Sequence, residues 1–456
     1  MMIQEKYKPY PKYKPSGVEW IGEIPEKWEV RRLTTVLKDL ESGGREKDSV
    51  EIEDGAISIG GEHVGWNGEL LIENPRYASM KYYYSMKKGK VNNGDVLLVK
   101  DGATIGKTAY VISLPKQAAL NEHVFLLRGI KNTIEQRYLF FFIFCSSGQE
   151  QINMSITGSA QPGLNRKFKL NTVLCLPPLP EQQAIADFLD RETARINSIV
   201  EKQIRKIELL KEKRSALITH TVTKGLDPKA KMKDSGVEWI GEIPEGWEVK
   251  RLRSSVKYNL ETLSENTTNP NYEIEYLDIS NVDGDGNIIS TETLLFRDAP
   301  SRARRVVKNG NTIISTVRTY LKAIAYLNKI PDNLIVSTGF AVIESVKPTN
   351  SKYLFYFIRS EYFIQNVTKN SKGVSYPAIT PSQSPGNLID IVILLPPLSE
   401  QQVIATFLDR EAVKIDTLIG KIEKQKELLS EYKQSLITHA VTGKIDVRGE
   451  AYAQNS

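Results

Sequence analysis

The sequence contains little cysteine and histidine, and it has no apolar run of membrane-spanning length. Two cysteines and four histidines occur among 456 residues. Cys145 and Cys175 offer at most one disulfide and no metal-ligand pair, and their apolar neighbours indicate buried structural thiols. The longest apolar run, YLFFFIFC (138–145), is far shorter than a bilayer span, and the N-terminus has Lys and Pro where a signal peptide needs apolar residues. These absences predict a soluble, cytoplasmic protein.

The rest of the composition is ordinary and sets only broad limits. The length allows about two to four globular domains. The formal net charge of +6 is a weak indication of polyanion binding, because many proteins that bind no polyanion share it. Composition therefore leaves the function open.

A long internal repeat is the strongest feature of the sequence. PSGVEWIGEIPEKWEV (15–30) recurs as DSGVEWIGEIPEGWEV (234–249), and LPPLPEQQAIADFLDRE (176–192) recurs as LPPLSEQQVIATFLDRE (395–411), both 219 residues later. Between these anchors the two copies keep an outline and differ in sequence. Each half thus consists of two nearly constant flanking segments and a variable insert between them. This arrangement is expected if the constant parts bind one partner and each insert binds a different target.

The second constant part of each copy has the heptad pattern of a coiled-coil helix. A double proline precedes each helix and a glycine, Gly225 or Gly443, follows it. We predict rods of about 35 residues and about 50 Å that pair with each other in antiparallel orientation. The alternative is that each helix merely packs on its own domain. The predicted seam consists of Leu189, Ile196, Gln203, Leu210 and Leu217 in the first copy and Leu408, Ile415, Ile422, Leu429 and Leu436 in the second.

The inserts read as mixed α/β (α+β) domains of about 145 residues. Strand-like runs such as GDVLLVK and its counterpart NTIISTV are separated by Gly, Asn and Asp turns, and an aromatic-rich helix follows each set. The fold class is therefore two globular domains separated by two long antiparallel helices, with an internal pseudo-twofold duplication. The predicted segments are a constant segment (1–30), a first insert (31–175), a first helix (176–227), a linker with the repeated segment (228–249), a second insert (250–394), a second helix (395–446) and a flexible tail (447–456).

Polar and basic residues cluster at turns of both inserts, and most of these turns contain glycine. Such loops suit contacts to phosphates and hydrogen bonds to base edges, although ordinary surface-loop chemistry is the alternative for any single residue. The candidate DNA-facing residues are Lys100, Lys107, Gln161, Asn165 and Arg166 in the first insert and Arg318, Tyr320, Lys322, Ser375 and Tyr376 in the second.

Several enzyme motifs fail on inspection. GATIGKT (102–108) has one residue too few for a phosphate-binding P-loop, and a strand rather than a helix is predicted to follow. NPRY (74–77) and NPNY (269–272) lack the second proline of the adenine methyltransferase motif and are interpreted as turns. The second insert has no histidine, which excludes a histidine-based catalytic site present in both inserts. The sequence predicts neither a catalytic centre, nor a cofactor, nor a metal site.

Taken together, the duplicated motifs resemble the specificity subunit of type I restriction-modification systems. They are two copies of SGVEWIGEIPExWEV, two of LPPLxEQQxIAxFLDRE opening a heptad helix, and two of LITHxVTxxxD, and they cover residues 16 to 446. The resemblance implies two target recognition domains, each reading half of a split double-stranded DNA site, with the helices setting the spacer. It also implies a non-catalytic subunit that works with two methyltransferase subunits and, for cleavage, with restriction subunits.

Two other functions remain as alternatives. A self-contained restriction enzyme would need methylation and cleavage motifs that fail above, and a methyl-donor binding assay would reveal it. The other alternative is a coiled-coil scaffold with two ligand-binding modules and no affinity for DNA. An electrophoretic assay would distinguish it, because such a scaffold would not shift DNA fragments.

Overall fold

The computed structural model describes residues 3–44, 54–158, 162–382 and 386–451. The chain divides into two compact units. The first unit combines Met1–Gln203 with Glu423–Ser456, and the second is the continuous stretch Ile204–Ile422. Each unit therefore contains one insert domain, the first half of one long helix and the second half of the other.

The insert domain of the first unit contains two four-stranded sheets. Their strands form where short apolar runs lie between turn residues, as in the fully buried Val96–Val99, which follows Asn-Gly-Asp. Across one sheet the strand order is Arg76–Ala78, Ala56–Ile59, Ala118–Leu120, Lys90–Val91, and across the other it is Leu37–Ser42, Val124–Gly129, Val96–Val99, Thr108–Tyr110. The pairing of Ala118–Leu120 with Ala56–Ile59 is parallel, and the other pairings in both sheets are antiparallel.

The insert domain of the second unit repeats this topology. Its sheets have the order Val256–Tyr258, Phe340–Ser345, Thr312–Ser315, Ile324–Tyr326 and the order Glu292–Leu295, Glu273–Leu277, Leu334–Ser337, Ala303–Val306. The one parallel pairing in these two sheets again joins the first strand of its sheet along the chain to a later one, Glu273–Leu277 with Leu334–Ser337. The predicted mixed α/β class and the internal duplication are confirmed.

Shorter elements complete each unit. The predicted aromatic-rich helices are present as Gln136–Phe144 and Ser351–Ile358, and each is followed by a second helix. Other helices of the first unit are Ile3–Lys6, Leu33–Val36, Met80–Ser85, Ser146–Met154 and Phe168–Asn171, and the second helix of the second unit's domain is Glu361–Asn370. Two-stranded pairs are Tyr13–Pro15 with Glu23–Pro25, Glu29–Arg32 with Val173–Leu176, Ile156–Thr157 with Gly163–Leu164, Met232–Asp234 with Glu242–Pro244, and Glu248–Arg251 with Val392–Leu395.

The two long helices are Leu179–Lys224, with 46 residues, and Leu398–Val441, with 44 residues. Each begins directly after the double proline, as predicted, and each is followed by a glycine of positive φ, Gly225 or Gly443. At about 1.5 Å per residue they are about 65 to 70 Å long. The expected 35 residues are too few, because each helix begins before its first heptad leucine, Leu189 or Leu408.

The helix halves within each unit run antiparallel. In the first unit Asn197 contacts Lys433 at 3.1 Å and Gln203 contacts Gln425 at 3.3 Å, so a forward step along one helix is a backward step along the other. In the second unit Arg214 forms an ion pair with Asp416 at 2.7 Å. Asn197–Lys433 and Asp416–Arg214 are equivalent pairs under the 219-residue repeat, which shows that the helix register is duplicated as well.

The heptad positions face inward in both units. Leu189, Ile196, Leu408, Ile415, Ile422 and Leu436 are buried, and Gln203, Leu210, Leu217 and Leu429 are half-buried. Leu189 and Leu436 belong to the same apolar core as Tyr138 and Phe188, so the outer ends of the seam also pack on the domain. Helix pairing and packing on a domain, considered as alternatives from the sequence, therefore occur together.

The expectation of a flexible tail from residue 447 is wrong for the part of the tail that the structure describes. Val447 is completely buried in the core of the first unit, and Arg448–Ala451 forms a short 3-10 turn. The Asp446 N–H donates to the Lys8 carbonyl, which joins the two ends of the described chain.

Both cysteines are free and buried in the first unit. Burial raises the pKa of each thiol to about 12, so both remain protonated and unreactive at neutral pH. Among the described residues, no helix is long and apolar enough to cross a membrane.

Candidate nucleic-acid interface

In the first domain two loops meet at the end of a buried strand. Loop 100–107 follows Val96–Val99, and the chain returns beside it after the second helix of the domain. A β-bridge joins Asp101 to Gly163 and fixes the two loops side by side. We call loops 100–107 and 162–167 the first loop pair.

Lys100 is held in a defined position within the first loop pair. Its ammonium group lies 3.1 Å from the Asp101 carboxylate and 5.6 Å from the centroid of the Phe125 ring. The same carboxylate contacts His123 Nδ1 at 2.5 Å. Asp101 thus orients Lys100 and balances part of the local positive charge.

Asn165 and Arg166 lie on the other loop of the pair and are exposed. The Asn165 side-chain oxygen accepts a hydrogen bond from the Lys167 N–H at 2.8 Å, which stabilises the turn, and the Arg166 guanidinium lies 3.5 Å from the Ser42 hydroxyl. The structure therefore brings Lys100, Asn165 and Arg166 together. Gln161, predicted to join them, lies outside the described residues.

Lys107 has a different neighbour. Its ammonium group lies 5.0 Å from the ring centroid of Trp66, whose side chain is 65% exposed. Trp66 was not selected from the sequence, although a lone tryptophan in the Gly-rich turn VGWNGE was an available signal. Lys107 and Trp66 form a cation–aromatic pair at the end of the loop opposite to Lys100.

The second domain has an equivalent loop pair. Loop 316–322 follows the strand Thr312–Ser315, and a β-bridge between Val317 and Ala378 joins it to loop 371–378. The Thr319 hydroxyl contacts the Ser371 hydroxyl at 2.9 Å and adds a polar link between the two loops. We call these loops the second loop pair.

All five residues predicted in the second domain lie on the second loop pair or at its edge. The Arg318 guanidinium lies 5.0 Å from the centroid of the Tyr376 ring. Tyr320 and Ser375 are exposed beside them. Lys322, at the end of its loop, lies 3.6 Å from the Glu361 carboxylate, which balances part of its charge.

A fully exposed apolar side chain also belongs to this surface and was missed from the sequence. Val374 lies in loop 371–378 and is 100% exposed. Its neighbours in the loop, Ser375 and Tyr376, are exposed as well. Aromatic, guanidinium and methyl groups together can stack on a base, contact guanine and contact a thymine methyl group.

The two loop pairs share a backbone conformation that is unusual in the second copy. The strand pairing aligns the copies with an offset of 216 residues, since Val96 pairs with Tyr110 and Thr312 pairs with Tyr326. At this offset Gly102 and Gly106, with φ of 83° and 91°, correspond to Arg318 and Lys322, with φ of 51° and 52°. Left-handed φ suits glycine and costs other residues about 1 kcal/mol or more. The second domain therefore places two cationic side chains where the first has strain-free glycines.

The backbone of Arg302, a further cationic residue, is linked to the second loop pair through Thr338 and Gly339. The Thr338 N–H donates to the Arg302 carbonyl, and the Thr316 N–H of loop 316–322 donates to the carbonyl of the next residue, Gly339. The Arg302 guanidinium forms an ion pair with the Asp278 carboxylate at 3.0 Å. Burial alone would raise the pKa of Asp278, but hydrogen bonds from Tyr276 and Ser280 and the Arg302 charge outweigh it and lower the pKa. Asp278 therefore stays ionised and holds Arg302 at this edge of the domain.

The fold and these surfaces define a class: a duplicated α/β protein that presents two related but chemically different loop surfaces and two long helices. Sequence comparison specifies the class further. The type I restriction modification DNA specificity domain matches residues 25–209 and, a second time, residues 244–428. These matches cover more than half of the chain, which therefore belongs to this family of type I restriction-modification specificity subunits.

Relatives match along nearly the whole chain. The MjaVIII specificity subunit of a type I restriction enzyme from Methanocaldococcus jannaschii is 28% identical over 433 residues, covering 93% of this chain and 94% of the relative. The putative MjaX specificity subunit from the same organism is 29% identical, with 94% and 96% covered. A solved structure of a type I R-M system, described for its complex assembly and conformational transition, has a TM-score of 0.68 at 18% identity, covering 92% and 99%. The HsdS subunit from Thermoanaerobacter tengcongensis has a TM-score of 0.50 at 17% identity, covering 92% and 98%.

Proposed function

We propose that this chain is the non-catalytic DNA sequence-specificity subunit of a cytoplasmic type I restriction-modification complex. Each insert domain reads one half of a bipartite, asymmetric DNA site through its loop pair. The length of the long helices sets the spacer between the half-sites. The constant segments bind two methyltransferase subunits and, through them, the restriction subunits.

The observation that carries this proposal is the pair of equivalent loop surfaces with different side chains. Strand order, β-bridges and left-handed backbone positions repeat between the domains, whereas the first loop pair displays Lys100, Asn165 and Arg166 and the second displays Arg318 and Tyr376. Two domains with the same fold and different loop side chains suit a DNA site whose two halves have different sequences.

The side chains divide naturally between affinity and specificity. Lysines such as Lys100 and Lys107 suit phosphate contacts, which supply most of the binding free energy and its salt dependence. Arginine and asparagine bind base edges with two hydrogen bonds, and each such contact contributes roughly 1 to 3 kcal/mol of discrimination. Arg318, Arg166 and Asn165 are the side chains best suited to this second role.

The role of the helices as a spacer is tested by lengthening both. One heptad inserted after Gln203 and another after Ile422 keeps the seam in phase and adds about 10 Å, or about 3 base pairs of duplex. These points are equivalent under the repeat, and Gln203 contacts Gln425, three residues beyond the second point. We expect unchanged half-site sequences and a longer spacer, measured by mapping methylated bases on a library of spacers in cells that carry the whole system.

Duplex geometry and heptad phase predict two further outcomes of this experiment. A shift of about 3 base pairs also rotates a reader by about 100° around the duplex, so part of the activity is expected to be lost. Four-residue insertions at the same points break the heptad phase and should do worse. An active heptad variant with an unchanged best spacer would show that the helices do not set the distance.

A further inference from the structure

The two copies of the constant segment are more alike than their shared fold requires. Residues 16–30 and 235–249 differ at a single position, Lys27 against Gly246. Packing explains part of this identity, because Trp28 is buried and its indole N–H donates to Glu181 at 3.0 Å. The equivalent bond in the second unit joins Trp247 to Glu400 at 3.1 Å.

The helix ends explain another part of the identity. Lys444, after the second long helix, donates to the carbonyls of Ile21 and Glu23 at 3.0 and 2.8 Å. Lys224, at the end of the first long helix, donates in the same way to the carbonyls of Ile240 and Glu242. Both contacts use backbone oxygens, so they fix the path of the chain and place no demand on the side chains at its surface.

The bonds above do not involve the tryptophan in the middle of each segment. The Trp239 ring centroid lies 5.1 Å from that of Tyr362 and 5.8 Å from the Lys369 ammonium group, and both of these partners lie outside the repeated segment. Trp20 is 48% exposed and Trp239 is 53% exposed. Each lies in the turn between two paired strands, and the turn is closed by backbone bonds such as Ser16 N–H to the Gly22 carbonyl. Exposure alone does not preserve a residue between the copies, because Lys27 is exposed and its counterpart is glycine.

Acidic side chains flank both tryptophans and argue against DNA as their target, although the Lys369 ammonium group also lies over the Trp239 ring. Glu19 and Glu23 are exposed on either side of Trp20, and Glu238 and Glu242 are exposed at the equivalent positions beside Trp239. Carboxylates beside an indole repel a phosphate backbone. The facing strand adds lysines that also repeat, Lys14 in one copy and Lys233 in the other, so the whole mixed-charge pattern is duplicated.

We propose that turns 16–22 and 235–241 are two equivalent docking points for the methyltransferase subunit, with Trp20 and Trp239 as the anchoring side chains. This inference rests on the proposed function. A partially exposed tryptophan rimmed by charged groups is the composition of an interface hot spot. The partner surface needs a recess that admits an indole and basic groups that face the glutamates. Two turns of the same sequence on one chain bind two copies of one partner.

The test uses the full chain and the purified methyltransferase subunit. The variants are Trp20→Ala, Trp239→Ala and the double variant, and the measurements are stoichiometry by native mass spectrometry and affinity by titration. Each single variant should bind one methyltransferase subunit as tightly as before and the other at least tenfold more weakly, and the double variant should lose both. Lys27→Gly, which makes the first segment match the second, is the matched control and should change neither quantity.

Folding and the parent proposal are checked separately. Trp20→Ala should leave the melting temperature within a few degrees of the original, because Trp20 is partly exposed. Trp239→Ala should lower it by more, because Trp239 packs against the buried Tyr362 ring. Trp20→Phe should recover part of the affinity. If the double variant binds two methyltransferase subunits with unchanged affinity while the original chain binds them too, the docking inference is wrong and the proposed function stands. An original chain that binds neither methyltransferase subunits nor, with them, DNA would overturn both.

Discussion

The first loops of the two insert domains have the same backbone path and different side chains. Loop 100–107 makes its two left-handed turns with Gly102 and Gly106, whereas loop 316–322 makes them with Arg318 and Lys322. The two copies therefore share the backbone geometry of this loop and differ in the side chains that it presents. Since left-handed arginine and lysine carry backbone strain, their presence in the second copy is best explained by a role at the surface.

The largest expected effect comes from exchanging a whole domain. Replacing residues 250–394 with the insert of another family member should change one half-site of the recognised sequence completely, because the second loop pair moves with it. The half-site read by the first domain should stay the same, as measured by mapping methylated bases. A change in both half-sites would show that the domains do not read independently.

A smaller and more selective effect is expected from Arg318→Gly. Glycine suits the left-handed backbone, so the free energy of unfolding should change by less than about 1 kcal/mol. Binding to the cognate site should weaken by roughly 1 to 3 kcal/mol, since the guanidinium held over Tyr376 is lost. Urea unfolding and an electrophoretic shift with the methyltransferase subunit measure the two quantities. Arg318→Ala is the matched variant. It should show the same loss of binding but a lower free energy of unfolding than Arg318→Gly, because alanine keeps the strain of the left-handed backbone.

The glycines of the first loop offer the reverse comparison. Gly102→Ala adds a Cβ into open space, so only the left-handed backbone opposes it, at a cost of about 1 kcal/mol. Gly106→Ala adds a Cβ that would lie 2.7 Å from the Gln149 side-chain oxygen, and it should cost more. Equal unfolding free energies for the two variants would contradict the contact with Gln149.

The smallest effect is expected at Lys107. Lys107→Ala should weaken binding to all DNA sequences alike and reduce the slope of log affinity against log salt by about 1, because a phosphate contact carries no base information. Trp66→Ala should also weaken binding to DNA, because the Lys107 ammonium group loses its aromatic partner. A change in the preferred sequence with either variant would assign Lys107 and Trp66 to base reading.

The sequence predicted the parts of the fold that repeat or alternate. The heptads placed both long helices and the apolar runs placed the strands, since these patterns depend on local burial. The packing of Val447 and the meeting of Lys107 with Trp66 were not predictable, because both depend on which distant segments the fold brings together. A lone valine in a polar tail carries no local signal of its burial.

The candidate surfaces were predicted by composition and not by geometry. Clusters of polar residues at turns identified Arg318, Tyr320 and Tyr376, which the structure brings to one loop pair. The left-handed backbone at Arg318 could not be predicted from the sequence, because arginine rarely adopts that conformation and its sequence neighbours do not indicate it. Only the aligned glycine of the other domain reveals it.

The central claim is that each loop pair reads one half of the site, and a paired methylation map tests it most directly. Cells carrying the whole system would express either Arg318→Gly or the double variant Asn165→Ala, Arg166→Ala, and methylated bases would be mapped across the genome. The account predicts that the first variant relaxes one half-site and the second variant relaxes the other, each with an unchanged spacer. Both variants relaxing the same half-site, or neither altering any position, would contradict it.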